Sequence, residues 1–486
     1  MAIDEIRKTK IEKIKKLHKE GVDPYPAVSV RTHSISEALI NFDELFGSEK
    51  EIVLAGRVMA KREHGGSVFF DINDGSGKIQ GLIKEDIAGK DNFQQFGEFL
   101  DIGDFVEISG ILFKTKKEEK TLEVRKFRIL SKALLPLPEK WHGLEDTEER
   151  LRKRYLDLIM NPEEKDTFVK KARFWQSTRE FLLKEGGLEV ETPVLEQIPG
   201  GADAEPFKTH LNALNIDLFL RISLELPLKR LIVAGFEKVF EIGRIFRNEG
   251  IDREHLQDYT QMEMYWAYYD YEKLMELTEN LFKHIIKETS GTLEHKYRDK
   301  EINWGGKWRR YDYFEEFNKR TGIELNTASE KDLKNYAEKE GIDTSLHVGK
   351  GRLIDVIFKK KVRNELLEPG FLVLPPVEIE PLAKRWPKDE NRVERFQIMA
   401  GGTELGKGYS ELNDPQDQNE RFEEQTKLRE KGDKEAQRMD EDFVEALEYG
   451  MPPTAGFGMS ERLFAFITDK PVRETVFFPL MRPREK

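Results

Sequence analysis

Five short β-prone runs crowd residues 52 to about 130: IVLAGRV, SVFFDI, KIQGLI, FVEISGILF and TLEV, with the turn DGSG at 74–77 between the second and third. Five strands in one compact stretch predict a small barrel. Of the small barrels, the OB-fold has five strands and commonly takes single-stranded nucleic acid or sugars on aromatic and basic side chains. Arg57, Lys61, Arg62, Phe69 and Gln80 are equipment of that kind. A lone strand phenylalanine is more often core, so this segment alone leaves packing and RNA contact both open.

Ahead of the barrel, residues 4–20 interleave Ile6, Ile11, Ile14 and Leu17 with Arg7, Lys8, Lys10, Lys13, Lys15, Lys16 and Lys19. The pattern predicts a basic amphipathic helix that ends at Gly21, with Pro24 and Pro26 forbidding its continuation. Its basic face reads equally as solvated surface or RNA contact. Residues 1–50 are thus a helix and lead-in, and 51–135 the barrel. LLPLPEKWHG at 134–143 marks a linker, taken as 136–150. From 151 to 486 helices and strands alternate without the regular βαβ spacing of a parallel doubly wound sheet, which predicts one α+β catalytic domain. There, Leu274, Leu277, Leu281 and Ile285 form a core stripe at helical spacing, and 420–442 reads as a solvated helix pair.

Composition removes several chemistries. No cysteine is present among the 486 residues, which excludes disulfides, thiolate zinc sites and a cysteine nucleophile. The nine histidines form no HExxH pair. A net charge of -12 argues against indiscriminate DNA coating, although local basic surface decides nucleic-acid binding. Apolar runs such as LIVAGF at 231–236 are too short to span a bilayer, and MAIDEIRKTK has no apolar segment behind it, so a cytoplasmic chain with no membrane contact is expected.

The segment 238–266 reads as strand, polar turn, strand, and period-2 geometry puts Tyr259, Gln261, Glu263 and Tyr265 on one face against Met262, Met264 and Trp266 on the other. Arg247 ends the first strand, Glu249 follows, and the loop carries Arg253 and His255; a guanidinium held there can bind phosphate bidentately. LRISLEL at 220–226 is a further strand candidate presenting Arg221, Ser223 and Glu225, and TELGKGYSEL at 403–412 presents Lys407, Tyr409 and Glu411. Glu225, Glu263 and Glu411 then converge, which is costly without a compensating cation. A metal, an internal lysine such as Lys407, or a cationic substrate would each answer. PPTAGFGMSERLFAF at 452–466 reads as a glycine-rich turn entering a helix, with Arg462 in its first turn. Neither a GxxxxGK[ST] nor a Rossmann GxGxxG is present.

Together these pieces resemble the class II aminoacyl-tRNA synthetases, specifically the lysyl-tRNA synthetases. FLLKEGGLEVETPVL, ending near Pro193 and Val194, is similar to motif 1, FRNE at 246–249 with the strand after it to motif 2, and GFGMSER to motif 3. RYLDLIMNPE, IPGGADAEPFKTHLNAL, LELPLKRL, SELNDPQDQ and EALEYGMPPTAG resemble the lysine branch rather than the aspartate and asparagine branches, and the similarity covers about residues 52–483. It implies an α+β chain, an anticodon-reading OB-fold followed by a catalytic domain with a mainly antiparallel sheet flanked by helices, and a homodimer with Pro193 near the subunit interface. Phe69 would stack on a base, with Arg62 and Gln80 on base edges. Arg247 would hold the α-phosphate and substrate carboxylate, Glu249 and His255 would bind ATP, and adenine would lie between Tyr259 and Arg462. Gly201 and Glu263 would take the α-amino group of lysine, Glu225, Tyr265 and Glu411 its ε-ammonium, and Tyr409 its stem. Lysine would attack ATP to give lysyl-adenylate and pyrophosphate, and tRNA would then accept the aminoacyl group, with Mg²⁺ and arginine neutralising charge. Glu404 matches a metal-binding glutamate, facing inward by way of a bulge near Gly406 or Gly408.

Four features depart from the family pattern. Gln397 replaces a second metal-binding glutamate, Lys407 replaces an asparagine, Leu256, Gln257 and Asp258 replace Asn-Pro-Glu, and motif 3 is one residue short between Gly458 and Glu461. Lys407 would either assist a carboxylate or phosphate or pair with Glu411. The competing readings are an adenylate-forming ligase of altered amino-acid or acceptor specificity, and a catalytically silent RNA-binding paralogue.

Overall fold

The computed structural model describes residues 3–138, 146–250, 252–345, 347–433 and 435–484. They group into two compact units, Met1–Asp146 and Thr147–Lys486. The centre of the expected linker, residues 139–145, lies outside the described residues.

The first unit begins with helix α1, Ile3–Lys19, and the chain leaves it through Gly21 at φ 72°. Leu17 joins the barrel core, but the basic face is not all solvated: Lys10 is buried and Lys13 pairs with Asp101 at 2.6 Å. Five strands follow, β1 (Ile52–His64), β2 (Ser67–Asn73), β3 (Lys78–Lys84), β4 (Phe105–Lys114) and β5 (Lys120–Ser131), with helix α2 (Lys90–Phe99) between β3 and β4. They close in the order β1-β2-β3-β5-β4. Alternation fills the interior with Ile52, Leu54, Val58, Phe70, Ile72 and Ile108, all fully buried.

In the second unit, helix α3 (Glu164–Lys184) precedes the short strand β6 (Leu188–Glu189). Helix α4 (Glu225–Val233) leads to the hairpin of β7 (Lys238–Phe246) and β8 (Asp258–Ala267), and helix α5 (Tyr271–Ser290) follows. Asp270 caps α5, and its Leu274, Leu277, Leu281 and Ile285 are buried in the main core as the stripe predicts. Beyond are β9 (Arg309–Asp312), helix α6 (Gly349–Lys361), β10 (Gly370–Val373), β11 (Arg395–Ala400), β12 (Thr403–Ser410), β13 (Thr454–Ser460) and helix α7 (Arg462–Ile467). Eight strands form one sheet in the order β9-β10-β11-β12-β13-β8-β7-β6, antiparallel except for the parallel pairs β9/β10 and β7/β6 at its two edges.

Three local expectations are corrected. LRISLEL is not a strand, because helix α4 begins at Glu225 and Arg221–Leu224 are irregular. The glycine-rich segment is not a turn but the central strand β13. The polar stretch 420–442 is not a solvated helix pair: a helix over Pro415–Glu430 ends within it, a second starts only at Glu441, and Arg421, Phe422, Gln425, Ala436 and Gln437 are buried. Arg421 donates to the Ala383 carbonyl at 2.7 Å, so a polar sequence is buried with its hydrogen bonds satisfied.

Candidate active site

The sheet register builds the site. Across β11, β12, β13 and β8, Gln397 faces Lys407, Lys407 faces Gly458, and Gly458 faces Glu263; one row along, Arg395, Tyr409, Gly456 and Tyr265 line up in the same way. The glycines leave an opening between polar side chains, and a cavity of about 240 Å³ lies there. A Cβ at Gly456 would collide with the Glu411 carboxylate and the Tyr265 ring, so glycine is dictated by side-chain approach within the protein. At Gly201, φ is 80° and a Cβ would stand 2.8 Å from that of Glu225.

The predicted carboxylates do converge. Glu263 accepts from the Ser223 hydroxyl at 2.8 Å, from the Leu224 amide at 3.0 Å and from Tyr265 at 2.8 Å. Glu225 accepts from Tyr409 at 2.7 Å and from the Lys229 ammonium at 2.7 Å. Lys229 also pairs with Glu411, whose Oε1 is buried without a hydrogen-bond partner among the described residues. The internal cation is therefore Lys229, which sequence reasoning missed. It sits four residues after Glu225 on α4, a spacing that brings the pair together only on a helix, and the strand reading of LRISLEL concealed it.

Among the described residues Glu225 and Glu411 share one paired ammonium, Lys229, and that buried cluster is short of positive charge. Burial pushes the Glu411 carboxyl well above the usual carboxylate range, with Lys229 only partly opposing it, and Glu225 is raised for the same reason. Burial alone would lower the Lys229 ammonium, but Glu225 and Glu411 hold it above its ordinary value.

A second cavity of about 420 Å³ shares Arg247, Tyr259, Glu404 and Arg462 with the first and adds Glu249 and His255. The five residues expected around ATP thus line one space. Arg247 donates to the Ile222 carbonyl at 3.2 Å and lies 5.8 Å from the Tyr259 ring centre, His255 is 2.7 Å from Asp252, and Arg462 at the start of α7 donates to the Glu404 carbonyl at 3.3 Å. Gln257 of the altered loop donates to the Glu249 and Gly250 carbonyls, both at 3.2 Å, and fastens the hairpin tip.

Glu404 reaches the cavity face through a bulge. Met399 faces Glu404 and Ile398 faces Gly406, so Leu405 is the extra residue and turns into the core. Gln397 donates its amide to Glu404 at 2.7 Å. Lys407 does not pair with Glu411; it bonds Glu380 at 3.0 Å, whose carboxylate also meets Arg395 at 3.3 Å. Burial works against the Lys407 charge, but Glu380 keeps the ammonium above its ordinary value.

On the barrel, Arg62 faces Phe69 and Asp71 faces Gln80, which puts Arg62, Phe69 and Gln80 on one outer face. Phe69 is half-buried while Phe70 fills the core, and Gln80 accepts from Thr121 at 3.0 Å. Arg57 and Lys61 are spent elsewhere, donating to the carbonyls of Gly103 and Gly97.

The profile of class II tRNA synthetases (D, K and N) matches residues 146–482, and that of the OB-fold nucleic acid binding domain matches residues 52–130. A lysine–tRNA ligase of Carboxydothermus hydrogenoformans is 46% identical, covering 99% of each chain, and one of Thermosipho africanus is 44% identical over 99% of this chain and 97% of its own. The chain belongs to the class II lysine–tRNA ligases. A further member, from Thermotoga maritima, is 43% identical over the same shares. In this ligase the barrel is the OB-fold and the eight-stranded sheet is the catalytic platform of the family. Among its described residues no helix is long and apolar enough to cross a membrane.

Proposed function

We infer that the chain joins lysine to its tRNA at the expense of ATP, through a lysyl-adenylate. The observation that carries this reading is the buried group of Glu225, Glu263 and Glu411 with Lys229 paired to two of them, beside a cavity carrying Arg247, Lys407 and Arg462. A cationic amino acid supplies the missing positive charge, whereas glutamine or methionine would leave buried carboxylates unpaired. Oε1 of Glu411 and the carboxylate of Glu225 receive the ε-ammonium with Tyr265, Tyr409 packs on the stem, and Glu263 with Gly201 takes the α-amino group.

Arg247 then holds the substrate carboxylate against the α-phosphate, Glu249 and His255 bind the nucleotide, and adenine lies between Tyr259 and Arg462. The chain supplies no nucleophile; it aligns two substrates and neutralises the charge that gathers between them. One magnesium ion fits the donors, since Glu404 offers a carboxylate and Gln397 an amide oxygen, and magnesium commonly takes one or two carboxylates with substrate phosphates and water. When bound it would offset phosphate charge.

On the barrel, Phe69, Arg62 and Gln80 form the anticodon surface, since a half-buried aromatic on an outer face between polar side chains suits single-stranded RNA. Exposed Leu183, Leu188, Val194 and Leu195 around Pro193 support a homodimer built on that surface. The reaction belongs in the cytoplasm, where tRNA and ATP meet.

Lysine-dependent exchange of labelled pyrophosphate into ATP, run beside a panel of other amino acids, tests the reading. Exchange with lysine alone is expected. Exchange with another amino acid alone points to altered specificity, and silence across the panel in folded protein overturns the ligase assignment.

A further inference from the structure

Two departures from the family pattern, Gln397 and Lys407, are directly opposite each other on β11 and β12 and share the face that carries Glu404. Each makes the spot more positive, an amide where a carboxylate is usual and an ammonium where an amide is usual. Together they add two units of charge, the charge of one divalent ion. The Gln397 amide already donates to one oxygen of Glu404, and no group of three His, Cys, Asp or Glu able to hold a metal occurs among the described residues.

Lys407 is not the sole counter-ion of Glu380, because Arg395 meets the same carboxylate at 3.3 Å. One hydrogen bond to Glu380 uses one of three ammonium donors, and 37% of the Lys407 side chain remains exposed in a position lining the cavity with Arg247 and Glu404. Glu380, itself 3% exposed, fixes the ammonium as Arg395 fixes Glu380.

We propose that Lys407, anchored by Glu380 opposite Gln397, supplies a fixed positive charge beside the reacting carboxylate and α-phosphate, so that the site operates with one fewer carboxylate-held divalent ion than a site bearing acids at both 397 and 404. The proposal rests on the adenylation reading above. A fixed ammonium has no exchange with solvent and no coordination sphere to complete, so its contribution is pre-organised.

The test counts ions directly. Full-length protein is saturated with lysine and α,β-methylene-ATP, and bound Mn²⁺ is titrated by electron paramagnetic resonance in the wild type and in the double variant Gln397→Glu with Lys407→Asn. The double variant is expected to bind one more ion per active site; equal counts overturn the proposal. Lys407→Met and Lys407→Arg give a second, independent reading. The lysine-dependent exchange rate at saturating Mg²⁺ is expected to fall about tenfold in Lys407→Met, which loses the fixed charge, and to stay within about twofold in Lys407→Arg, which retains it. An unchanged exchange rate at saturating Mg²⁺ in Lys407→Met also overturns it. Wild-type protein without lysine-dependent exchange at any Mg²⁺ concentration refutes the adenylation reading and this proposal with it, whereas normal exchange with equal ion counts refutes the proposal alone.

Discussion

Replacing Glu411 by Gln keeps the shape of the pocket and removes a carboxyl that burial holds toward its neutral form and that a bound ammonium would ionise. In the wild type Lys229 bridges Glu225 and Glu411 and leaves Oε1 of Glu411 without a partner among the described residues, so the incoming ε-ammonium meets a fully buried, under-compensated acid. Two unit charges about 4 Å apart at an effective dielectric constant of about 20 attract by about 4 kcal/mol. A glutamine oxygen still accepts a hydrogen bond worth about 1 kcal/mol. The net loss of about 3 kcal/mol corresponds to an increase of about a hundredfold in the lysine KM. Pyrophosphate exchange measured against lysine at saturating ATP, then against ATP at saturating lysine, separates the two substrates. The ATP KM is expected to change less than about twofold, because Glu411 is not among the residues lining the cavity with Glu249 and His255. Equal effects on both substrates, or an unchanged lysine KM, would refute the pocket assignment.

Lys229→Met strips the internal cation from two buried carboxylates and should destabilise the catalytic unit by about 3–5 kcal/mol in denaturant unfolding; adding Glu411→Gln to it should recover part of that loss, and no recovery would deny the coupling. Phe69→Ala should weaken tRNA charging by about 1–3 kcal/mol of base stacking while leaving lysine-dependent exchange intact; a parallel fall in both would remove the anticodon role. Burial, opposed by Arg221, pushes the Glu196 carboxyl up from 4.5 to about 8. The folded chain therefore holds a proton there that the unfolded chain has released, and this group makes stability fall as pH rises from about 4.5 to about 8. Unfolding free energies at pH 5 and pH 8 should differ less in Glu196→Gln than in the wild type; identical differences would show that Glu196 is not responsible.

Where alternation and turn chemistry act over several residues, the sequence was legible. The polar face Tyr259, Gln261, Glu263, Tyr265 and the buried Met262, Met264, Trp266 fall as a plain strand requires. LRISLEL misled because the alternation of residues 221–226 fits a strand, while the event that matters, a helix starting at Glu225, is fixed by packing of Leu226, Leu228 and Ile232 in one core cluster with Val239 and Tyr265. In β13 glycine argues against a strand by propensity, yet glycine is what lets Tyr265 and Glu411 approach. Arg57 and Lys61 shared the composition of an RNA surface with Arg62; only the three-dimensional path of β1 separates the residue left outside from the two that bond nearby carbonyls.

The extra residue at Leu405 shifts the phase of a single strand. Counting back from Glu411 by twos reaches Tyr409 and Lys407 and then, without the bulge, Leu405 in place of Glu404. The two ends of the cavity therefore lie on one continuous strand but in different frames. A one-residue deletion at 405 would restore plain alternation and leave Glu404 on the same face as Lys407, Tyr409 and Glu411, so the bulge adds a core side chain without turning the carboxylate away. A chain so altered would keep both the groups assigned to the amino acid and the one assigned to the metal, and would lose only the Leu405 side chain from the core, so the deletion would be read in stability rather than in recognition or activation.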